Sequence, residues 1–378
     1  MAEFKSILFE QMIKEFAEKE VKPLAQDVDE QERFPIETVE KMAKLGLMGI
    51  IVPRQYGGAG GNYGMYINAV EELSKHCATT GVILSAHTSL CVAPILEYGT
   101  EDQKQRYLPD LATGKKIGAF GLTEPNAGTD ASNQQTRAFE KEDHYLLNGS
   151  KIFITNAGYA STYIIIAVTG MGAKGPEMTA FIVDSDMEGF TIGKKEKKMG
   201  IRGSATCELI FENVKVPKEN MLGKRGDGFK IAMKTLDGGR VGIAAQALGI
   251  AEGALDVTVS YVKSRKQFGK PISAFQNTQF VLADLATKIE AAKLLVYAAT
   301  DAKQNKLPTL SVKAAQATLF AAETAMEVTT KCVQLHGGYG YTREYPIERM
   351  MRDAKITEIY EGTSEVQRMV ISAALLKK

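Results

Sequence analysis

The sequence predicts a multidomain α+β protein in which a helical N-terminal part, a β domain and a helical bundle follow one another. Three observations predict it. A chain of 378 residues is too long for one simple core. The hydrophobic period drops from helical spacing to two near residue 116 and returns to helical spacing near residue 226. A composition of 44% hydrophobic and 24% charged residues is that of a folded chain.

The first zone, residues 1–115, reads as helices in "MIKEFAEKEVKPLAQDVDEQERF", "IETVEKMAKLGLMGI" and "YINAVEELSKHC". Pro53 and "YGGAGGNYG" (56–64) interrupt it with a loop. The second zone, 116–225, holds short β-branched or aromatic runs divided by Gly, Asn, Asp and Pro: "HYLLNGSKIFITNAG", "STYIIIAVTG", "MTAFIVDS", "FTIGKKEK" and "TCELIFENVKVP". That spacing describes a small antiparallel barrel or sandwich. In the third zone, 226–378, Leu282, Leu285, Ile289, Ala292 and Val296 step along one helix face, and 240–263 is rich in the Ala and Gly that let helices approach closely.

Net charge is +1, so the chain has no field for a polyanion, and nucleic acid is not an expected partner. The charged start "MAEFKSILFEQMIKEFAEKEVKP" lacks the apolar run of a signal peptide. The longest apolar run, "YIIIAV", is far short of a bilayer span, so no membrane segment is expected. Cys77, Cys91, Cys207 and Cys332 form no CxxC pair, which argues against a zinc cage or disulfide framework and suits a reducing cytoplasm. His87 and Cys91 lie one helical turn apart, but without a second close pair they read as packing rather than a metal site.

"GMGAKG" (170–175) matches GxGxxG after a strand-like run, yet Pro176 and another strand-like run follow where a dinucleotide site needs a helix. It reads as a hairpin loop, so any flavin or nicotinamide here is not held by a Rossmann fold.

Five stretches offer chemistry, each with a plainer reading beside it. "FGLTEPNAGTDAS" (120–132) gathers Thr123, Asn126, Thr129, Asp130 and Ser132 around a bend at Pro125 and Gly128; it suits the polar edge of a planar heterocycle, or an Asx-rich turn, which composition alone favours. In "KIFITNAG" (151–158), alternation puts Phe153 and Thr155 on one strand face, able to stack on a ring and bond its edge, as any half-buried strand would present some face. "SRKQFGKPISAFQ" (264–276) offers Arg265, Lys266 and Lys270 to phosphate and Phe268 to a base, or is a solvated interhelical turn. "QLHGGYGYTREYP" (334–346) opens the backbone at Gly337, Gly338 and Gly340 for a ligand, or is a helix C-cap and loop; His336 is packed or exposed. Finally, Glu358, Glu361 and Glu365 recur at helical spacing, as on a solvated acidic face, but Gly362, Thr363 and Ser364 directly after Glu361 are hard to reconcile with one continuous helix.

In this order and across this architecture, the motifs resemble the acyl-CoA dehydrogenase family, most of all its bacterial short-chain (butyryl-CoA) branch. The resemblance runs from about residue 10 to the C-terminus through "GVILSAHTSLC", "FGLTEPNAGTDAS", "KIFITNAG", "TLDGGRVGIAAQALGIAEGA", "RKQFGKP", "LHGGYGYTREYPIERMMRDAKI" and "IYEGTSEVQ". It implies an all-α N-terminal domain, a middle antiparallel β-barrel domain and a C-terminal four-helix bundle, with FAD between the last two. The implied activity is oxidation of a short-chain acyl-CoA to the trans-2-enoyl-CoA, a step of fatty acid metabolism, with electrons passed to electron-transferring flavoprotein.

The resemblance implies that Glu361 is the base removing the α-proton while the β-hydride leaves for flavin N5, and that the Glu361 N–H helps hold the thioester oxygen. Gly362 then leaves that peptide open to substrate, and Tyr360 lines the same pocket. Phe120, Leu122, Thr123, Gly128, Thr129, Phe153 and Thr155 are implied to meet the isoalloxazine part, Thr129 also reaching the pantetheine side. Where some relatives carry tryptophan at the Phe153 position, this chain has no tryptophan at all. Arg265, Gln267, Phe268, Gln276, Gln334, Gly337 and Gly338 are implied to meet the ADP half of FAD bound mainly by a neighbouring subunit, with Thr363 and Glu365 touching cofactor just past the base. Asp237 and Arg240 are implied to hold the CoA arm. The family state is a homotetramer, a dimer of dimers.

"MAEFKSIL" fits the family's usual start poorly and leaves the start of the opening helix open. Gly239 stands where isovaleryl- and long-chain-type members place their base, which argues against those subclasses. The rivals are a weakly active DNA- or partner-binding flavoprotein of the same fold, against which the charge and Glu361 speak, an acyl-CoA oxidase, whose chains are much longer, and a dehydrogenase for another short, branched, cyclic or aromatic acyl-CoA.

Overall fold

The computed structural model describes residues 2–172 and 175–376. Met1, and Ala173 and Lys174 of the glycine motif, lie outside the described residues.

The opening helix runs from Ala2 to Phe16, so the atypical start is helical from its second residue. Helix Tyr63–His76 begins where the Asn62 side chain accepts the Met65 N–H at 2.9 Å. Helix Glu101–Ala112 begins with a reciprocal capping box between Thr100 and Gln103. Between them lies the buried helical stretch Ala78–Tyr98, widened to a π-helix over Ala86–Val92. His87 sits in that π segment, its Nδ1 accepting the Gly118 N–H at 3.0 Å and its Nε2 on Met48 O at 3.1 Å. Burial pushes its pKa down to about 4, so His87 is a neutral packed histidine that joins a helix to the first strand.

Eight strands then make one sheet: β1 Gly118–Gly121, β2 Arg137–Glu140, β3 His144–Thr155, β4 Thr162–Gly172, β5 Gly175–Asp184, β6 Phe190–Lys195, β7 Thr206–Pro217 and β8 Met221–Leu222. The order is β6-β7-β3-β2-β4-β5-β8, with β1 parallel to β4; β2 also meets β4 in parallel, and the remaining pairs are antiparallel. β4 and β5 pair up to Gly172 opposite Gly175, so the glycine motif lies on a hairpin and no helix follows it. β4 is buried on both faces. Tyr163, Ile165 and Ala167 join the larger core, while Ile164, Ile166 and Val168 join a second core with Tyr107, Leu108 and Leu111 of the capped helix. Alternation in this strand therefore sorts side chains between two cores, not between core and water.

The C-terminal part is built on helices Gly228–Ser264, Gln276–Gln304, Leu310–His336 and Ser364–Leu375. The Ala/Gly-rich stretch does bring helices together: a Cβ at Gly249 would stand 2.2 Å from Glu71 O, and one at Gly253 2.1 Å from Lys75 O. Leu285, Ile289, Ala292 and Val296 are buried along one face, as the spacing predicts, while Leu282 at its start is only half-buried. The stretch Ala78–Tyr98 and helix Gly228–Ser264 are long and apolar enough to cross a membrane by length and composition, but 89% and 78% of their apolar windows are buried in the fold.

The three parts meet at one charged junction. Arg352 donates to both oxygens of Asp29 at 3.0 and 2.6 Å and to Met199 O at 3.1 Å, while Arg202 pairs with Glu32 at 2.7 Å. Next to it, Asp353 accepts the Ile201 N–H at 2.5 Å. Ile201 sits at φ +41, a conformation a β-branched residue takes only when its surroundings impose it. Helix Ile347–Lys355 is thereby fixed to both other parts, and it leads directly to Glu361.

Candidate active site

After Lys355 the chain makes a short 3-10 turn, Ile356–Glu358, and then leaves helical geometry. Glu361 has φ +55 and Gly362 φ +99, and a new helix starts at Ser364, capped by Thr363, whose hydroxyl accepts the Val366 N–H at 3.4 Å. The acidic spacing of Glu358, Glu361 and Glu365 is thus broken, and Glu361 stands alone in the interruption. Its Oε2 is closed to solvent and has no hydrogen-bond partner. Burial pushes the carboxyl up to about 7, with the nearby Arg240 guanidinium pulling the other way. Among the described residues its N–H also finds no acceptor.

The Glu361 carboxylate packs directly on Gly239, where only a glycine fits: a Cβ there would lie 2.5 Å from Glu361 Oε2 and 2.9 Å from Leu90 Cδ2. Next to it, Tyr63 donates to Gly238 O at 2.8 Å. Leu90 belongs to the same buried cluster as Phe120 and Leu122, which links the base to the strand motifs within one chain.

The loop after β1 is held from below by a residue that alternation did not single out. Lys151 is fully buried in β3 and donates to Glu124 Oε1 at 2.6 Å, to Leu122 O at 3.1 Å and to Gln134. Glu124 also accepts the N–H groups of Gln135 at 2.6 Å and Thr136 at 3.0 Å. Burial alone would raise the Glu124 pKa, but Lys151 and these donors outweigh it and hold the carboxyl low; burial also pushes Lys151 down to about 8. The pair closes residues 122–136 into a rigid loop that leaves Gly128 and Thr129 exposed, with nothing within 4 Å of a Cβ at Gly128.

Ile152 N–H donates to Thr123 O at 2.9 Å, so the two motifs lie side by side. A register shift between Lys151 and Ile154 swings Phe153 out of the ladder at φ +59, with 59% of it exposed. Thr155 remains half-buried beside it. An aromatic held in a left-handed conformation on an open surface costs stability that the chain itself does not recover. A planar ring laid on it would, and with the unpartnered Glu361 N–H and the open Gly128 backbone these residues fit an isoalloxazine.

A second group is elsewhere. Arg265, Gln267, Phe268, Gln276, Gln334, Gly337 and Gly338 are all exposed, Phe268 at 92%. Arg265 lies over the Tyr339 ring at 5.4 Å, which joins the 265–276 turn to the glycine segment. Gly337, at φ +61, ends the preceding helix with its N–H on Gln334 O, and the buried His336 stacks on Tyr261 at 4.2 Å, so packing accounts for both. The 26 residues of helix between Gly239 and Arg265 span about 39 Å at 1.5 Å per residue, so Arg265 stands far along that helix from the glycine on which Glu361 packs.

Asp237 and Arg240 are buried and bonded to each other at 3.1 Å; Ser311 takes the other Asp237 oxygen at 2.5 Å, and Arg240 Nε donates to Glu361 O at 3.1 Å. Their partners in the chain set the base as much as they border a cleft. Tyr360 bonds Gln246, which is anchored on Ala78 O at 2.9 Å. Glu365 is exposed, its carboxyl held low by its own N–H and the Thr363 hydroxyl. Sequence reasoning missed Lys151, Glu124, Gln246 and Gln367, polar residues whose partners are distant in the chain.

Three family models match in chain order: acyl-CoA dehydrogenase N-terminal domain over 5–115, middle domain over 119–214 and C-terminal domain over 226–376. The chain is 61% identical over 372 residues to a short-chain specific acyl-CoA dehydrogenase of Clostridium acetobutylicum, covering 98% of this chain and 97% of that one. Among solved structures, butyryl-CoA dehydrogenase from Megasphaera elsdenii superposes with a TM-score of 0.96 at 53% identity, over 98% of each chain. A chain in the structure described as the electron transferring flavoprotein of Acidaminococcus fermentans also gives 0.96, at 55% identity, over 99% of this chain and 98% of that one. With all three domains matched and the identity spread over nearly its whole length, the chain belongs to the acyl-CoA dehydrogenase family.

Proposed function

We propose that this protein is an FAD-dependent dehydrogenase of short-chain acyl-CoA thioesters of the butyryl-CoA type, with Glu361 as its base. One observation carries the reading: a half-buried glutamate whose Oε2 is closed to solvent and without a partner, packed so closely on Gly239 that no side chain fits there, its pKa pushed up to about 7 by burial. A carbon acid needs a strong base that is still ionised at working pH, and that value meets both demands.

Glu361 removes a proton from the α-carbon, and the charge that develops on the thioester oxygen is met by the Glu361 N–H; Gly362 supplies the φ of +99 that turns the chain here, in a place where a Cβ would lie 3.0 Å from Gln367 Nε2. Tyr360 and Tyr63 wall the pocket, and Asp237 and Arg240 hold the CoA arm at its mouth while fixing the loop behind the base. FAD, when bound, supplies the two-electron acceptor for the hydrogen leaving the β-carbon. Phe120, Leu122, Thr123, Gly128, Thr129, Phe153 and Thr155 hold its ring, and Thr363 and Glu365 lie beside it. Arg265, Gln267, Phe268, Gln276, Gln334, Gly337 and Gly338 take the ADP half of the flavin of a neighbouring subunit, a reading their shared exposure supports. Oligomerisation then completes the site, in a dimer of dimers, with domains 1–115, 116–225 and 226–378 in each subunit. The electron acceptor is an electron-transferring flavoprotein, as the Acidaminococcus match suggests, and the location cytoplasmic.

An anaerobic visible spectrum before and after adding butyryl-CoA tests this. A flavin band that bleaches supports cofactor, base and acyl group together. A band that shifts without bleaching removes the butyryl assignment, and a colourless protein that takes up no FAD overturns the reading.

A further inference from the structure

The loop that presents Glu361 turns left-handed at two consecutive residues, one of them not a glycine, and the chain must supply what holds it. Gln367, fully buried in the first turn of helix Ser364–Leu375, donates its Nε2 to Gly362 O at 2.7 Å and to Glu361 O at 3.3 Å. Its Oε1 is buried with no partner. The amide orientation follows from these neighbours, since the flipped form would set Oε1 against two carbonyl oxygens. A buried glutamine that leaves its acceptor unmet while donating twice to one loop is there for its donors. Arg240 Nε donates to the same Glu361 carbonyl from the opposite helix at 3.1 Å. The peptide planes on either side of Gly362 are therefore clamped, and the Glu361 side chain and N–H are aimed together.

We propose that Gln367 is a positioning residue for proton abstraction: its side-chain amide holds the Glu361–Gly362 backbone in the left-handed conformation that points the carboxylate at the substrate α-carbon. This rests on Glu361 being the base. Without the two bonds the loop relaxes toward ordinary backbone angles, and the carboxylate moves by a distance that matters for a reaction needing close approach.

The step can be read without oxidation. Acetyl-CoA has an α-carbon and no β-carbon, so in D2O the base removes a methyl proton, the carboxyl exchanges it for a deuteron and returns it, and the thioester is unchanged except for its label. Proton NMR of the acetyl methyl in the presence of holoenzyme measures that rate. Gln367→Met, which has no donor, is expected to slow exchange by about a hundredfold, to lower kcat for butyryl-CoA similarly, and to leave KM and flavin content near the parent's. Gln367→Glu is the second variant: ionised, it repels both carbonyls, and protonated, it regains one donor. Its exchange rate relative to the parent should therefore climb as the pH falls, while the Gln367→Met ratio stays flat. Exchange at the parental rate in either folded, flavin-loaded variant overturns the proposal, as does a flat ratio for Gln367→Glu. Glu361→Gln serves as the control: if it still exchanges, the reading of the base has failed, and not merely the role of Gln367.

Discussion

At Glu361 two demands oppose each other, because the enclosure that makes a carboxylate a strong base also makes its charge costly. The folded carboxyl, raised to about 7, binds a proton that the unfolded chain releases near its ordinary value of about 4.5. The stability from this group is therefore full below the unfolded value and is lost as the pH rises through about 7. Two outcomes are expected. In the parent, kcat/KM for butyryl-CoA should climb with pH through about 7, as the free enzyme's base ionises. Glu361→Gln should keep flavin and bind acyl-CoA while losing turnover at least about a hundredfold; it should also melt above the parent beyond pH 7, with the gap closing toward pH 4. Thermal melts at both ends check the second point, and an equal gap at each would show that the carboxyl is not destabilised by burial. The odd setting of Glu361 was legible because glycine, threonine and serine cannot extend the helix before them. Gln367 was not: a glutamine in a first helical turn has no sequence signal until the loop folds back beneath it.

Among the elements, the loop 122–136 depends on one lysine in a strand. Lys151 and Glu124 are both buried, so removing the cation leaves a carboxylate unpaired in a desolvated place. Lys151→Met should cost about 3–5 kcal/mol and reduce flavin content as the loop loosens. Lys151→Met combined with Glu124→Leu should recover part of the stability but not the flavin, because burying matched apolar groups removes the penalty without restoring the bonds to Leu122 O and Gln134. Urea midpoints with flavin absorbance decide it, and a single variant as stable as the parent would remove the pair from its structural role. Elements as such were readable: the strands of 116–225 announced themselves by β-branched runs and their turns, and the helices by spacing. Lys151 was not, because period-two alternation assigns faces but cannot tell that this face meets a buried acid, nor that a register shift ejects the neighbouring Phe153.

For the whole molecule, the order of the three parts followed from two changes of hydrophobic period, whereas their mutual placement rests on long-range pairs such as Arg352 with Asp29 that no local pattern encodes. The proposed sharing of the cofactor belongs to the same scale. Phe268, three residues after Arg265, is 92% exposed, and Tyr341 in the glycine segment 88%, both too apolar to face water without reason. In the proposed assembly a second chain brings the two groups onto one flavin and covers both aromatics. Arg265→Ala removes a guanidinium that is exposed, lies over Tyr339 and is free to meet a pyrophosphate, while leaving the buried core of its own subunit untouched. It should therefore lower the flavin-to-protein absorbance ratio of the purified enzyme, or shift sedimentation velocity toward smaller species, with far-UV helicity retained. Added FAD should restore the ratio if the arginine serves the cofactor alone; persistence of smaller species in saturating FAD would place it in the contact between subunits. An unchanged ratio together with unchanged sedimentation would sink the shared site, because the residue at the centre of the exposed group would then serve neither cofactor nor partner.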